Sequence, residues 1–171
     1  DSFGVACFAA PAGAASSNGP PRRRRVLFRA HLTSFMLTFT LPEELRRFAY
    51  KEQHWFYDAM FKAAAQTLEE FARDGKHLGG APGFIAVLHT WGQTLMHHPH
   101  LHCVVPGGGV SLDGKRWIAC RPGFFLPVRV LSRLFRRRFL EELQQAHRGG
   151  RLQFFGDDAG LSEPRAFTQW L

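Results

Sequence analysis

The sequence predicts an α+β protein in which an antiparallel sheet carries helices on one of its faces. The 171 residues, 45% of them hydrophobic and 21% charged, have the composition of one compact globular domain. In some segments apolar residues alternate with period two, as in strands. In two long segments they recur at helical spacing. The links between neighbouring strands are short, and short links require antiparallel pairing.

The first predicted strand covers residues 35–41, where Phe and Leu alternate with Met and Thr. Pro42 follows at a position where a helix can begin without losing a needed N–H group, and Glu43 and Glu44 occupy the first turn. Apolar residues then recur at helical spacing up to Asp74 and Gly75, which predicts one long helix or two abutting helices.

Four more strands and one more helix are predicted in the second half of the chain. The Asp113–Gly114 pair predicts a hairpin turn. Residues 127–147 have the pattern of a basic amphipathic helix. The predicted strands cover residues 84–93, 100–105, 115–119 and 151–155.

The charge balance limits the classes of partner. Lys and Arg outnumber Asp and Glu by 22 to 14, a formal net charge of +8, which favours a polyanion such as nucleic acid or acts as solubilising surface charge. No stretch reaches the roughly eighteen apolar residues of a membrane helix. The first nineteen residues lack the pattern of a signal peptide, so we expect a cytoplasmic protein. The three cysteines lack CxxC spacing, which argues against a cysteine zinc site.

The most informative segment is HHPHLHCVV at residues 97–105. On a strand, His100 and His102 project from one face about 6.6 Å apart, so a single cation between them is within reach of both imidazoles. A third ligand is expected from the neighbouring strand, where Gln93 is the first candidate and His89 the second.

Two further histidines, His97 and His98, lie in the link before this strand. We expect them to support the site or to stay exposed. A lone His-x-His pair on a strand usually binds nothing, but the additional histidines in an otherwise apolar sheet favour a metal or phosphate site.

A basic surface is predicted on the helix at residues 127–147. Several of its arginines fall near one face, opposite the apolar stripe, where they would follow a phosphate backbone or be solvated. Trp91 and Trp117 either stack on unpaired bases or, as we favour here, lie in the core. The predicted DNA-binding residues are Arg129, Arg133, Arg136 and Arg137 on the helix and Lys115 and Arg116 on the preceding strand.

Two separated motifs, FTLP at residues 39–42 and HPHLH at residues 98–102, resemble those of the HUH nucleases. That class includes rolling-circle replication initiators, relaxases and related transposases. The segments LHTWGQTLMHHPHLHCVVPGGGVSLDGKRWIA and FFLPVRVLSRLFRRRFLEEL are similar to the two-tyrosine rolling-circle transposases of bacterial insertion sequences. The resemblance covers about two thirds of the chain, and it is specific because both motifs and their flanking sequences agree.

The resemblance implies a five-stranded, HUH-type palm sheet that cuts single-stranded DNA at transposon ends in the bacterial cytoplasm. It implies that His100 and His102 hold Mg²⁺ or Mn²⁺ against the scissile phosphate, and geometry suggests Gln93 as the third ligand. The cation would act as a Lewis acid on the phosphoryl oxygens, and imidazole ligands shift the preference toward Mn²⁺. A tyrosine would attack phosphorus and leave a 5′-phosphotyrosine and a free 3′-hydroxyl.

The chain departs from the family pattern at the nucleophile. The family's tyrosines lie on a helix beyond the matched region, whereas this sequence has only Tyr50 and Tyr57, for which packing is the expected role. The family's cysteine-rich, zinc-binding start is not matched either, because residues 1–25 hold one cysteine. Since the chain also begins with Asp1, we expect a truncated copy that binds metal and DNA but lacks the nucleophilic tyrosine.

The expected organisation has three parts. Residues 1–25 form a flexible basic leader that ends in Arg22 to Arg25, residues 26–155 form a partial HUH nuclease-like palm domain, and residues 156–171 begin a truncated C-terminal region.

Two other functions stay open from the sequence. The alternation of His98, His100 and His102 also resembles the histidine triad of nucleotide hydrolases, in which the central histidine attacks a phosphate without metal. The chain could also be a non-catalytic, DNA-binding remnant.

Overall fold

The computed structural model describes residues 3–10, 34–92, 96–121 and 127–171. The strands are β1 (Gly4–Ala10), β2 (Ser34–Thr40), β3 (Gly80–Pro82), β4 (Ile85–Trp91), β5 (His97–Pro106), β6 (Gly108–Ser111) and β7 (Trp117–Ala119). The helices are α1 (Glu43–Lys51), α2 (Gln53–Arg73), α3 (Val128–Arg148), a 3₁₀ helix (Gly156–Ser162) and α4 (Pro164–Trp170).

The main sheet has the strand order β1-β2-β5-β4, with antiparallel pairing throughout. The alternation predicted in β2 is confirmed, because Phe35, Leu37 and Phe39 are buried. Their partners on β5 include Leu101 and Cys103, which are also buried. This face of the sheet therefore forms one wall of the core, and the opposite face carries the alternate side chains.

The helices cover the apolar face, as the α+β prediction requires. The Phe135 ring of α3 lies 4.9 Å from the ring of Phe39 on β2. Phe56 of α2 and Phe139 of α3 are buried with their ring centroids 5.9 Å apart. Helices α2 and α3 therefore pack on the sheet and on each other through aromatic side chains that recur at helical spacing.

The long helical segment consists of two abutting helices. Glu52 separates them with φ −114° and ψ 47°, outside the helical range. Its N–H donates to the Phe48 carbonyl, and its own carbonyl accepts from the Phe56 N–H. The chain thus changes direction at one residue while the backbone hydrogen bonds on both sides are kept.

The sheet differs from the five-stranded sheet that the resemblance implied. In the part of the chain that the structure describes, four strands form the main sheet, and β3, β6 and β7 form a separate three-stranded sheet. Strand β5 ends at Pro106, whose nitrogen has no hydrogen to donate to a ladder. The following glycine-rich strand β6 then pairs with β3 and β7 instead.

Two predicted segments are corrected. Residues 4–10, expected in the flexible leader, form β1 because every residue of this segment pairs with β2. Residues 1–2 and 11–25 of the leader lie outside the described residues. The predicted strand at residues 151–155 is wrong: Gly150 turns the chain after α3 with φ +64°, and Phe154 packs against the ring of Phe48 instead of joining a sheet.

The C-terminal segment packs on the helical layer. Phe167 of α4 is buried and stacks on His147 of α3 at a centroid distance of 4.0 Å. The His147 Nε2 lies 2.8 Å from the Leu161 carbonyl oxygen. None of the helices in the described ranges has the length and apolar character needed to cross a bilayer.

Candidate metal centre

Three histidines come together on the open face of the main sheet. His100 of β5 is paired with His89 of β4 on one side and with Thr40 of β2 on the other. His102 lies two residues along β5 and therefore projects from the same face. The alternation of β5, which buries Leu101, fixes the outward direction of both β5 histidines.

The three imidazoles are close enough to share one ion. The ring of His89 stacks on that of His102 at 4.3 Å and lies 5.3 Å from that of His100. One nitrogen from each ring lies within 4.8 Å of the other two. A cation held at about 2.1 Å from each nitrogen needs separations of at most about 4.2 Å, so small side-chain rotations complete the site. The donor set fits a divalent cation that accepts imidazole ligands.

A backbone contact orients His100, the central histidine of the cluster. The Nδ1 of His100 lies 2.7 Å from the carbonyl oxygen of His98. Because a carbonyl accepts and does not donate, this contact places the hydrogen on Nδ1 and leaves Nε2 as the free acceptor. Such a contact fixes both the tautomer and the ring orientation of a metal ligand.

The surroundings keep His102 in its neutral, metal-binding form. Desolvation, followed by the charges of His89 and His100, lowers the pKa of His102 below its ordinary value. The pKa of His98 is lowered in the same direction by desolvation first and by the nearby charge of Arg46 second. Neutral imidazole is the form that binds metal, so the lowered pKa of His102 favours binding of a cation at neutral pH.

The predicted ligands have different outcomes. The structure places His100 and His102 together, as the strand spacing predicts. Gln93, the first candidate for the third ligand, lies outside the described residues. His89, the second candidate, occupies the third position of the cluster.

Both tyrosines lie beside the start of β5. The Tyr57 hydroxyl is 3.1 Å from Nε2 of His97, and the Tyr50 ring meets the His97 ring edge-on at 5.4 Å. Desolvation raises the pKa of the Tyr57 hydroxyl. His97 and His98 thus belong to β5 and not to the link before it. Tyr57 is partly buried, as packing predicts, whereas Tyr50 is 64% exposed and packs only through its edge contact with His97.

The predicted arginine surface lies on the exposed side of α3. Arg129, Arg133, Arg136 and Arg137 are all exposed. Arg133 and Arg136 line a surface groove of about 520 Å³ together with Phe3, Glu44 and Trp170.

One of these arginines already has an acidic partner. Arg137 donates to both carboxylate oxygens of Glu70 on α2, at 2.6 and 2.9 Å, and Arg138 binds the same carboxylate. These hydrogen bonds, with that from Arg137 the strongest, lower the pKa of Glu70. Arg137 therefore links α2 to α3, whereas Arg133 and Arg136 have no ion pair within the described residues.

The remaining predicted contacts are exposed. Lys115 and Arg116 lie in the turn before β7, not on the strand as predicted. Trp91 is 61% exposed and Trp117 is 44% exposed. The favoured prediction that both tryptophans lie in the core is therefore wrong. They alternate with inward-facing residues on short strands, and their own side chains point outward.

The contribution of α1 to this site is not predicted by any local sequence pattern. Arg46 of α1 influences His98, and Tyr50 of the same helix contacts His97. About fifty residues separate these partners in the sequence, and no local pattern indicates which helix face meets β5. The FTLP motif, which directly precedes α1, was the available signal.

Comparisons with known proteins assign the chain to a family. A family model described as "Putative transposase" (Y2_Tnp) matches residues 83–171. The protein named "Putative transposase y4qJ" of Sinorhizobium fredii (strain NBRC 101917 / NGR234) is 61% identical over 137 residues, which cover 80% of this chain and 34% of that protein. The "Transposase for insertion sequence element IS801" of Pseudomonas savastanoi pv. phaseolicola is 38% identical over 78 residues, which cover 46% of this chain and 18% of that protein.

The chain thus spans about a third or less of the length of these two relatives.

Solved structures of the conjugative relaxase TrwC share the fold of this chain. A copper-bound complex with oriT DNA has a TM-score of 0.50 and 20% identity over 81% of this chain and 52% of that chain. A complex with a 27-mer DNA has a TM-score of 0.50 and 19% identity over 82% of this chain and 55% of that chain.

The fold is therefore an HUH-type antiparallel sheet with helices on one face, and the family model covers more than half of the sequence. The chain belongs to the Y2_Tnp transposase family.

Proposed function

We propose that this chain is the part of a transposase that holds a divalent cation, Mg²⁺ or Mn²⁺, and binds single-stranded DNA at a transposon end. His89, His100 and His102 are the ligands, with Gln93 as the alternative third ligand. The whole protein cleaves and transfers the strand through a tyrosine outside this chain, in the bacterial cytoplasm. The observation that carries the proposal is the convergence of three imidazoles on one open sheet face.

The relatives support the DNA partner. The y4qJ and IS801 proteins carry transposase names, and TrwC, which shares the fold, has been solved with DNA that contains a cleavage site. The net charge of +8 and the exposed arginines of α3 suit a polyanionic strand.

Each residue of the site has a defined role. His100 presents Nε2 because its Nδ1–H donates to the His98 carbonyl. His89 and His102 supply the other two nitrogens from adjacent strands. A bound cation supplies Lewis-acid stabilisation of charge on the phosphoryl oxygens. Nitrogen ligands shift the preference toward Mn²⁺ relative to an all-oxygen site. Arg133 and Arg136 attract and orient the strand.

Metal and strand binding test the proposal together. Mn²⁺ binding is measured by calorimetry, and binding of a labelled single-stranded oligonucleotide is measured by anisotropy with Mn²⁺ and with chelator. We expect His100→Ala to weaken Mn²⁺ binding by more than about tenfold, since even supporting residues around metals contribute that much. His77→Ala, on a histidine beyond the end of α2, is the matched control and should bind like the parent.

The alternatives give different results. Nucleotide hydrolysis that persists in chelator and requires His100 would support the histidine-triad function instead. Strand binding that is insensitive to chelator and to His100→Ala would leave a DNA-binding remnant without a metal site.

A further inference from the structure

One face of α1 lies against the beginning of β5. Glu43, Arg46 and Tyr50 are three and four residues apart and therefore share a side of the helix. The Tyr50 ring contacts His97 at 5.4 Å. The charges of Glu43 and Arg46 both act on His98. This face therefore borders the histidine-rich segment.

Arg46 is unpartnered at this position. Its Nε is buried and has no hydrogen-bond partner. In the described ranges, no carboxylate lies within ion-pair distance of its guanidinium, whereas Arg137 and Arg138 both bind Glu70. A buried donor without an acceptor costs stability. Arg46 as a whole is only partly buried, so its terminal nitrogens, and not the buried Nε, are the donors open to an external anion.

Arg46 lies one helical turn before Tyr50, whose ring contacts His97 at the start of β5. The next histidine, His98, has its ring 5.3 Å from the ring of the proposed ligand His100. A strand whose phosphate contacts the histidine cluster would therefore place a neighbouring phosphate near α1.

We propose that Arg46 binds a phosphate of the DNA strand adjacent to the histidine cluster, so that α1 forms part of the strand-binding site. This inference rests on the proposed function. A guanidinium suits the role because it stays charged beside histidines and binds phosphate with two parallel hydrogen bonds, which a lysine does not. Glu43 on the same face leaves Arg46 available because the two side chains form no ion pair.

The first test compares single-strand affinity across salt concentrations in Mn²⁺. We expect Arg46→Gln to weaken binding of a labelled oligothymidylate by about tenfold and to lower the salt slope by about 0.7, the value for one phosphate contact. Arg46→Lys should keep most of the salt slope but lose affinity. Arg73→Gln, at the far end of α2, removes the same charge and should behave like the parent.

Two further readouts separate strand binding from a structural role. Arg46→Met should unfold at the same temperature as the parent or at a higher one without DNA, because the unpartnered buried donor is removed. The double variant Arg46→Gln/His100→Ala should lose less strand affinity than the sum of the losses in the two single variants. Non-additivity is expected because both residues would bind one short stretch of DNA.

The outcomes distinguish this inference from the proposed function. If the parent binds DNA in a metal-dependent way and Arg46→Gln matches both the parent and Arg73→Gln, the role of Arg46 is overturned while the function stands. If the parent binds no single strand, both fail. If Arg46→Met unfolds at a lower temperature and keeps its DNA affinity, Arg46 is a packing residue.

Discussion

At the residue scale, His89 and Gln93 are the two candidates for the third ligand of the proposed metal site. We expect His89→Ala to weaken Mn²⁺ binding by more than about tenfold, because the imidazole of His89 lies with those of His100 and His102. We expect Gln93→Ala to change Mn²⁺ affinity by less than about twofold. Calorimetric titration of both variants decides between them. A large loss for Gln93→Ala with no loss for His89→Ala would contradict this assignment.

The residues of the site could be predicted to different degrees. The alternation of β5 alone predicts that His100 and His102 share a face. Choosing between His89 and Gln93 requires the pairing register of β4 with β5, which contains an irregularity between His89 and Trp91. Sequence spacing does not show where such a shift occurs, since it depends on how the two strands pair across the link.

Protonation of His97 should couple the stability of the metal-free protein to pH. Desolvation lowers the pKa of His97 in the folded protein, so the unfolded chain binds a proton first as the pH falls through about 6.5. His97 therefore contributes stability above that pH and loses it on acidification toward the folded-state pKa. Desolvation lowers the pKa values of His98 and His102 in the same direction.

We therefore expect the free energy of unfolding to fall between pH 7 and pH 5. The fall should be shallower in His97→Phe, which retains a ring against Tyr50 but has no titrating group. Denaturant unfolding in chelator at several pH values measures both slopes. Parallel pH profiles for the parent and His97→Phe would show that His97 makes no contribution.

At the element scale, strong periodicity predicted the helices and the central strands. The predicted helix at residues 127–147 matches α3, and the strand at residues 35–41 matches β2, each within one residue. The segment at residues 151–155 has a strand-like composition but no partner strand, and Phe154 is drawn into the aromatic core instead. Strand β1 was missed because its small residues carry weak alternation and depend on the register with β2.

The arginines of α3 that have no ion pair among the described residues should contribute more to DNA binding than Arg137, which is paired with Glu70. Replacing Arg133 and Arg136 together with Ala is expected to weaken single-strand binding for all sequences and to lower the salt slope by about 1.4, twice the value of one contact. Arg137→Ala should lower the slope less, because Glu70 already neutralises Arg137. Anisotropy titrations between low and moderate salt measure these slopes.

The stability of the Arg137 variant serves as an internal control for this experiment. Loss of its bonds to Glu70 should lower the free energy of unfolding by up to about 1 kcal/mol, the range of an exposed ion pair. Equal salt slopes for the Arg133/Arg136 double variant and the parent would show that this face of α3 is only solvated.

At the scale of the whole molecule, the two faces of the main sheet have different roles, one in the core and one at the proposed binding site. One face, with Leu37 and Leu101 fully buried, packs against the aromatic side chains of α2 and α3. The other face displays the histidine cluster beside exposed apolar residues such as Ile85 and Val87. Because the proposed ligands are not part of the core, the cluster can be altered without removing the contacts that hold the fold together.

The position of the tyrosines leads to the last prediction. The Tyr57 hydroxyl forms a hydrogen bond with His97. Desolvation raises the pKa of Tyr57. The raised pKa disfavours the phenolate that would attack phosphorus. We therefore expect this chain to bind a labelled single strand without forming a covalent protein–DNA band. Appending the tyrosine-bearing segment of a complete relative should give a Mn²⁺-dependent covalent band, and His100→Ala should abolish it. A band from the unextended chain that Tyr57→Phe or Tyr50→Phe removes would instead identify the nucleophile on the helices beside β5.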